Sequence, residues 1–189
     1  MRAFVELLRA GAVVACPTET QMGLLADALD AEAIGRVSTI KRRPASEAIG
    51  LIVPSLEVAL ELVTEMTPLA RRLAEQHWPG PLTLVMRARS HVPAGVQKDG
   101  TVAVRVPGPS PAFELVRAFG GPLTATSANI SGQPPLSTEA ELRAAFGAGL
   151  GGIVPGLPPG GAPSTIVDVT SETPIVVRAG ALPLTFAAR

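Results

Sequence analysis

Pro122-Leu-Thr-Ala-Thr-Ser-Ala-Asn-Ile-Ser-Gly132 starts as the apolar run of a buried strand and ends in small polar side chains. That is the pattern of a strand whose far end opens into a ligand site. Thr124, Thr126, Ser127, Asn129 and Ser131 carry many hydrogen-bonding groups and no charge, so they can orient a polar ligand but cannot neutralise an anionic one. The plainer reading of the same residues is a strand ending in a Ser/Asn turn closed by Gly132. The segments on either side decide between the two.

Upstream, Thr101 to Val106 alternates as a strand does, with Arg105 inside it among Val102, Val104 and Val106. A charged side chain there must reach solvent, an ion partner or an anionic ligand. Ser110 and Pro111 open a helix to Phe119. Downstream, Thr138 and Glu141 have the spacing of a capping box for a helix ending near Phe146. Gly147 to Gly152 fits G-x-G-x-x-G, but it follows a helix and precedes an apolar run, whereas a dinucleotide fingerprint follows a strand and opens a helix. Pro155 to Pro163 is a Pro/Gly-rich run that reads as a mobile flap or a surface loop. Thr165 to Val169 and Ile175 to Val177 finish the chain as two close strands, with Asp168, Arg178 and Gly180 at or beyond their ends.

Further out, residues 3 to 10 form a short helix stopped by Gly11, and Val13 to Cys16 a buried strand. Pro17 to Gly23 is then a polar loop, in which Thr18 and Glu19 serve a ligand or cap backbone groups. Ala31 to Lys41 returns to helical pattern and Pro44 ends it. Lys41, Arg42 and Arg43 crowd the last turn, where cations complement the helix dipole. An extended exit would instead point Lys41 and Arg43 to one side, towards phosphates. Ile49 to Val53 is a strand, followed by helices over Ser55 to Met66 and Thr67 to His77, the second capped by Thr67 with Pro68 behind it. Trp78-Pro79-Gly80-Pro81 is a rigid corner, with Trp78 a packing anchor, before the strand Leu82 to Met86. Ser90 to Gly100 is loop. Strands and helices alternate through most of the chain, and the closing pair is antiparallel. The expectation is therefore one α/β domain over residues 1–189, with a twisted mixed parallel/antiparallel sheet flanked by helices.

Composition narrows the function. Sixteen basic and sixteen acidic residues leave no net charge, and aromatic residues make up 3%. A protein coating nucleic acid would show a basic excess, and one stacking single strands would show more aromatics. Any cationic site must therefore be local. No apolar run approaches a membrane span and the N-terminus has no apolar signal core, which points to the cytoplasm. Cys16 stands alone, so no internal disulfide or multi-cysteine metal site is expected, and it reads as a buried small hydrophobe.

His77 and His91 lack metal-ligand spacing, Ser127 lacks the G-x-S-x-G elbow, and no G-x-x-x-x-G-K-[ST] loop exists. What remains is Lys41, Arg43, Arg105 and Arg178 with Thr18, Thr20, Ser127 and Asn129. That set suits a polyphosphate, where positioning and charge stabilisation carry catalysis.

Taken in order, the pieces resemble the YrdC-like family of threonylcarbamoyl-AMP synthases. They are Pro17-Thr18-Glu19-Thr20 with Gly23-Leu24, Lys41-Arg42-Arg43-Pro44, Trp78-Pro79-Gly80-Pro81-Leu82-Thr83, Ala103 to Pro107, Thr126 to Gly132, Pro163 to Asp168 and Arg178-Ala179-Gly180-Ala181. The resemblance implies a basic cavity lined by a K-x-R motif, here Lys41 and Arg43 as catalytic residues, and an S-x-N motif, here Ser127 and Asn129. It adds Thr18, Thr20, Arg105, Thr126, Ser164 and Arg178 as ATP or threonine contacts. It implies that ATP with Mg²⁺, L-threonine and bicarbonate give threonylcarbamoyl-AMP and pyrophosphate, the adenylate passing to a transferase complex that modifies adenosine 37 of tRNA, with a tRNA contact by this chain as a further expectation. Met22 departs from the usual aromatic residue before Gly-Leu. Glu47 and Ala48-Ile49-Gly50 depart from the usual run after Pro44. Two alternatives stand beside this: a non-catalytic RNA-binding or ribosome-maturation factor, and a relative that makes carbamoyl-AMP for a different acceptor.

Overall fold

The computed structural model describes residues 1–44 and 47–186. Helix α1 (Arg2–Arg9) leads into β1 (Val14–Pro17) and β2 (Met22–Leu25), then α2 (Ala31–Lys41). Next come β3 (Leu51–Ile52), α3 (Leu56–Leu62), α4 (Pro68–His77), β4 (Leu82–Arg87), β5 (Gln97–Lys98) and β6 (Thr101–Arg105). The chain continues with α5 (Pro111–Phe119), β7 (Leu123–Thr124), β8 (Thr126–Ser127), α6 (Glu139–Phe146), β9 (Gly152–Ile153), β10 (Thr165–Asp168) and β11 (Ile175–Arg178).

The strands form two sheets rather than the one expected. One runs β8-β2-β1-β9; the other runs β11-β10-β4-β6-β3-β7, with β5 also paired to β6. Both mix parallel and antiparallel pairs: β1 lies antiparallel to β2 and parallel to β9, while β4 lies parallel to β10 and antiparallel to β6. The fold is α/β with mixed sheets flanked by helices.

The decisive stretch is where the sheets meet. Leu123–Thr124 pairs with β3 in one sheet and Thr126–Ser127 pairs with β2 in the other. Ala125 is the crossing residue, and its N–H donates to Gly50 O at 2.7 Å. The single strand read from the sequence is thus two short strands. Thr124 is fully buried and its hydroxyl accepts from Ala26 N at 2.9 Å, so it serves the crossing and not a ligand.

Helix limits follow their caps. Asp30 Oδ1 accepts from Glu32 N and Ala33 N, Thr67 and Ser110 each accept from the N–H three residues on, and Thr138 with Glu141 closes a full capping box. Each side chain meets an N–H that the helix itself leaves unpaired. Gly120, at φ 82, ends α5 in the left-handed region.

Several expectations need correction. The polar loop after Pro17 is only a turn, because Met22–Leu25 is a strand that forms a hairpin with β1. The helix read over Ser55 to Met66 stops at Leu62, where Val63 turns extended and bridges to Ala88. The loop Ser90 to Gly100 holds a 3₁₀ turn at Ala94–Val96 and the strand β5. Gly147–Gly149 is a 3₁₀ turn and Gly152 starts β9, so the glycine pattern there opens no helix, in agreement with the sequence reading.

Two apolar clusters hold the layers. The larger joins β2, β4 and β6 to α2, α3 and α4 through Leu24, Leu84, Val104, Val37, Leu62 and Leu73. The smaller packs α1 and α5 on β1 through Leu8, Leu115, Val116, Val14 and Cys16. Burial pushes the Cys16 thiol up to about 12, as suits an inert core residue. Trp78 is a packing anchor whose Nε1–H donates to Leu82 O at 2.6 Å. Among the described residues no helix is long and apolar enough to cross a membrane.

Candidate functional site

A cavity of about 470 Å³ opens between the two sheets, and the ten residues that the family resemblance named line it, whereas Thr124 does not. Thr18 and Thr20 come from the β1–β2 turn, Lys41 and Arg43 from the end of α2, and Arg105 from the end of β6. Thr126, Ser127 and Asn129 come from β8 and its exit, Ser164 from the start of β10, and Arg178 from the end of β11.

Lys41 and Arg43 reach the cavity, but not by an extended exit. Lys41 is the last helical residue and Arg42 sits at φ 52, ψ 39. That left-handed residue reverses the chain and brings Arg43 back to the side where Lys41 already points.

Lys41 is 2% exposed, and its ammonium donates to Ser127 O at 2.6 Å, Asn129 O at 3.0 Å and Asn129 Oδ1 at 2.6 Å. All three N–H groups are used and every acceptor is neutral. The lysine therefore pins the Ser-Ala-Asn turn, while among the described residues no carboxylate pairs with its charge. Burial, then the Arg43 guanidinium, push its pKa down to about 8, with Glu47 acting the other way.

Arg43 donates from Nη2 to Ala48 O at 2.6 Å. Its Nε lies 3.1 Å from a Glu47 carboxylate oxygen but makes no hydrogen bond. The contact is a charge pair out of line for a bond, and Glu47 is half exposed, so it holds Arg43 weakly. Arg105 differs. It is buried and donates from Nη1 to Glu19, itself largely buried. The second Glu19 oxygen is buried and has no hydrogen-bond partner among the described residues. Burial lowers the Arg105 pKa and Glu19 raises it. Arg178 donates from Nε and Nη2 to Ser164 O at 3.1 and 2.8 Å and from Nη2 to Ser164 Oγ at 3.2 Å. Its pKa is lowered by burial and then by Arg105. Four cations thus face a cavity whose one lining carboxylate among the described residues is Glu47, an arrangement that favours an anion with several negative oxygens.

The hydroxyls divide by duty. Thr18 Oγ1 accepts from Thr20 N and Gln21 N, both at 3.1 Å, and donates to Gln21 O at 2.8 Å. It caps the turn, as the sequence allowed, whereas Glu19 caps no backbone group and pairs with Arg105 instead. Thr20 contacts Thr18 Oγ1 at 3.1 Å and Ser164 contacts Thr83 Oγ1 at 2.9 Å. Three partners were missed in the sequence. Glu19 was foreshadowed by the need of Arg105 for a counter-ion. Thr83 and Gln21, whose Oε1 accepts from Ser127 Oγ at 2.8 Å, carried no such signal.

The family model named for Sua5, YciO and YrdC, described as telomere recombination, matches residues 6–180. The chain belongs to the Sua5/YciO/YrdC family. A Pyrococcus abyssi member named threonylcarbamoyl-AMP synthase is 37% identical over 97% of this chain and 55% of its own length. A Vibrio cholerae member of the same name is 39% identical over 88% of this chain and 91% of its own. Against the former, the chain spans little more than half the relative. A solved structure of P. abyssi Sua5 complexed with L-threonine superposes with a TM-score of 0.90 at 37% identity, covering 97% of this chain and 54% of that one. E. coli YciO superposes at 0.84 with 28% identity, over 95% and 88%.

Proposed function

We propose that this chain is a cytoplasmic threonylcarbamoyl-AMP synthase. The observation that carries the reading is the lining of the cavity, in which Lys41, Arg43, Arg105 and Arg178 converge and Lys41 has only neutral acceptors. The names of the P. abyssi and V. cholerae relatives, and the L-threonine bound by the P. abyssi protein, support the substrate class.

In this reading the amine of L-threonine bonds the carbon of bicarbonate, a C–O bond breaks and water leaves, giving an N-carboxy intermediate. Its carboxylate oxygen attacks the α-phosphorus of ATP, an O–P bond forms, and the bond from that phosphorus to the bridging oxygen breaks. The electron pair leaves on pyrophosphate. The chain supplies charge and position rather than a proton relay. Lys41 and Arg43 face the phosphates and stabilise charge developing on them. Ser127 and Asn129 orient the anion from a turn that Lys41 holds, and Thr126, Thr18 and Thr20 shape the same wall. Arg105, Ser164 and Arg178 form the opposite wall.

Mg²⁺ would enter as part of the nucleotide and supply charge to its phosphates. The acyl adenylate is consumed by a transferase complex acting on adenosine 37 of tRNA, and a tRNA contact by this chain belongs to the same proposal.

The test is pyrophosphate release from ATP and Mg²⁺ with threonine and bicarbonate withheld in turn, alongside mass detection of the adenylate. Release that requires both, with the threonylcarbamoyl adduct present, is expected. Release without threonine, or driven by carbamoyl phosphate, overturns the reading in favour of another acceptor.

A further inference from the structure

Gln21 stands where three parts of the molecule meet. Its main chain is fixed, because Thr18 N donates to Gln21 O at 3.0 Å and the Thr18 hydroxyl bonds both the N–H and the C=O of Gln21. Its side chain is left to span the mouth of the cavity. Oε1 accepts from Ser127 Oγ at 2.8 Å on one side, and Nε2 donates to Gly161 O at 3.1 Å on the other. The orientation of the carboxamide is forced, since a carbonyl oxygen only accepts and so must face the NH₂ group. Ser127 has one hydroxyl proton, and Gln21 holds it.

The far partner lies in the Pro155–Pro163 loop, which leaves β9 in one sheet and enters β10 in the other. Among the described residues no other hydrogen bond reaches Pro155–Ala162. Gly160 and Gly161 have φ 77 and 95 with open space around them, and Leu157 is 72% exposed. The ends of the loop are held, by Val154 N on Ala15 O and by Ala181 N on Pro163 O, both at 2.8 Å, and between them the Gln21 bond fixes its posture.

We propose that Gln21 is a positioning residue that couples filling of the anion site to the posture of the Pro155–Pro163 loop. An oxyanion that binds the Ser127 hydroxyl takes the proton now given to Gln21. With Ser127 lost, nothing fixes the Gln21 rotamer but Gly161 itself, and the loop loses its anchor to the cavity wall. The ligand competes with Gln21 for one proton, so Gln21 also weakens anion binding. This rests on the reading of the cavity as a polyphosphate site.

The experiment is electron paramagnetic resonance of a nitroxide attached to Leu157→Cys in the full chain, whose own Cys16 is buried, with and without inorganic pyrophosphate. This labelled parent is expected to show a motionally restricted spectrum alone and to shift to a mobile one with saturating pyrophosphate. With Gln21→Ala added the spectrum is mobile in both conditions, the melting temperature is unchanged, and pyrophosphate binds about fivefold tighter by calorimetry. Ser127→Ala, which removes the proton without a ligand, also gives the mobile spectrum. Equal mobility for the parent and Gln21→Ala without ligand overturns the tether. Pyrophosphate acting equally on both overturns the coupling. No calorimetric binding of pyrophosphate to wild type overturns the polyphosphate reading itself and the coupling with it, while the ligand-free comparison still decides the tether.

Discussion

Lys41 and Arg105 are both buried cations on the walls of one cavity, and the fold treats them in opposite ways. Arg105 lies against Glu19, a nearly buried carboxylate. Lys41 is surrounded by two carbonyls and one carboxamide oxygen, which satisfy its protons without balancing its charge. A buried charge with a counter-ion is part of the architecture, while one that has only dipoles around it retains its attraction for an arriving anion. The difference assigns Arg105 with Glu19 to stability first and Lys41 to the ligand.

The largest effect is expected where the architecture is broken. Glu19→Gln strands the Arg105 guanidinium and should cost about 3–5 kcal/mol in urea unfolding; a loss within experimental error would erase the distinction. Lys41→Met should do the reverse. It removes the unpaired charge and lowers pyrophosphate-releasing turnover about 100-fold, about 3 kcal/mol, while the loss of stability at neutral pH stays below that of Glu19→Gln, because the acceptors it strands are neutral. Arg178→Ala, at an exposed end strand, should weaken nucleotide binding about tenfold, about 1.4 kcal/mol, by calorimetry. A loss matching that of Lys41→Met would mean that burial does not rank these cations.

The last effect is in pH. The folded Lys41 pKa of about 8 lies below its ordinary value of 10.5. Between those values the unfolded chain binds more protons at Lys41 than the folded one, so this residue adds stability as pH rises from about 8 to 10.5, against which the buried Cys16 thiol takes stability away above its ordinary value of 9.0. The cost of the buried charge is present in full below about pH 8. Chemical denaturation across that window should show wild type rising relative to Lys41→Met, which keeps only the fall from Cys16.

The sequence carried the elements whose signals are local. The Thr138 capping box, the Thr67 and Ser110 caps and the α2 limits need only a few consecutive residues, and all appear where expected. The residues of the cavity were legible too, because motifs named them one by one. What was hidden depends on partners far along the chain. Nothing in Leu123 to Ser127 says that Thr124 and Thr126 belong to different sheets, since that follows from β3 and β2 competing for neighbouring residues. The return of Arg43 through a left-handed Arg42 was equally invisible, because arginine rarely adopts that conformation. Glu19 read as a cap in its own turn until the register of β6 brought Arg105 to it, 86 residues away.

The most direct measurement is proton uptake on binding of MgATP, by calorimetry at about pH 8.5 in buffers of different ionisation enthalpy. If the charge of Lys41 is unbalanced until an anion arrives, binding raises its pKa, and wild type should take up about 0.7 proton per nucleotide while Lys41→Met takes up none. Binding without uptake in wild type, or equal uptake in both proteins, would contradict the account.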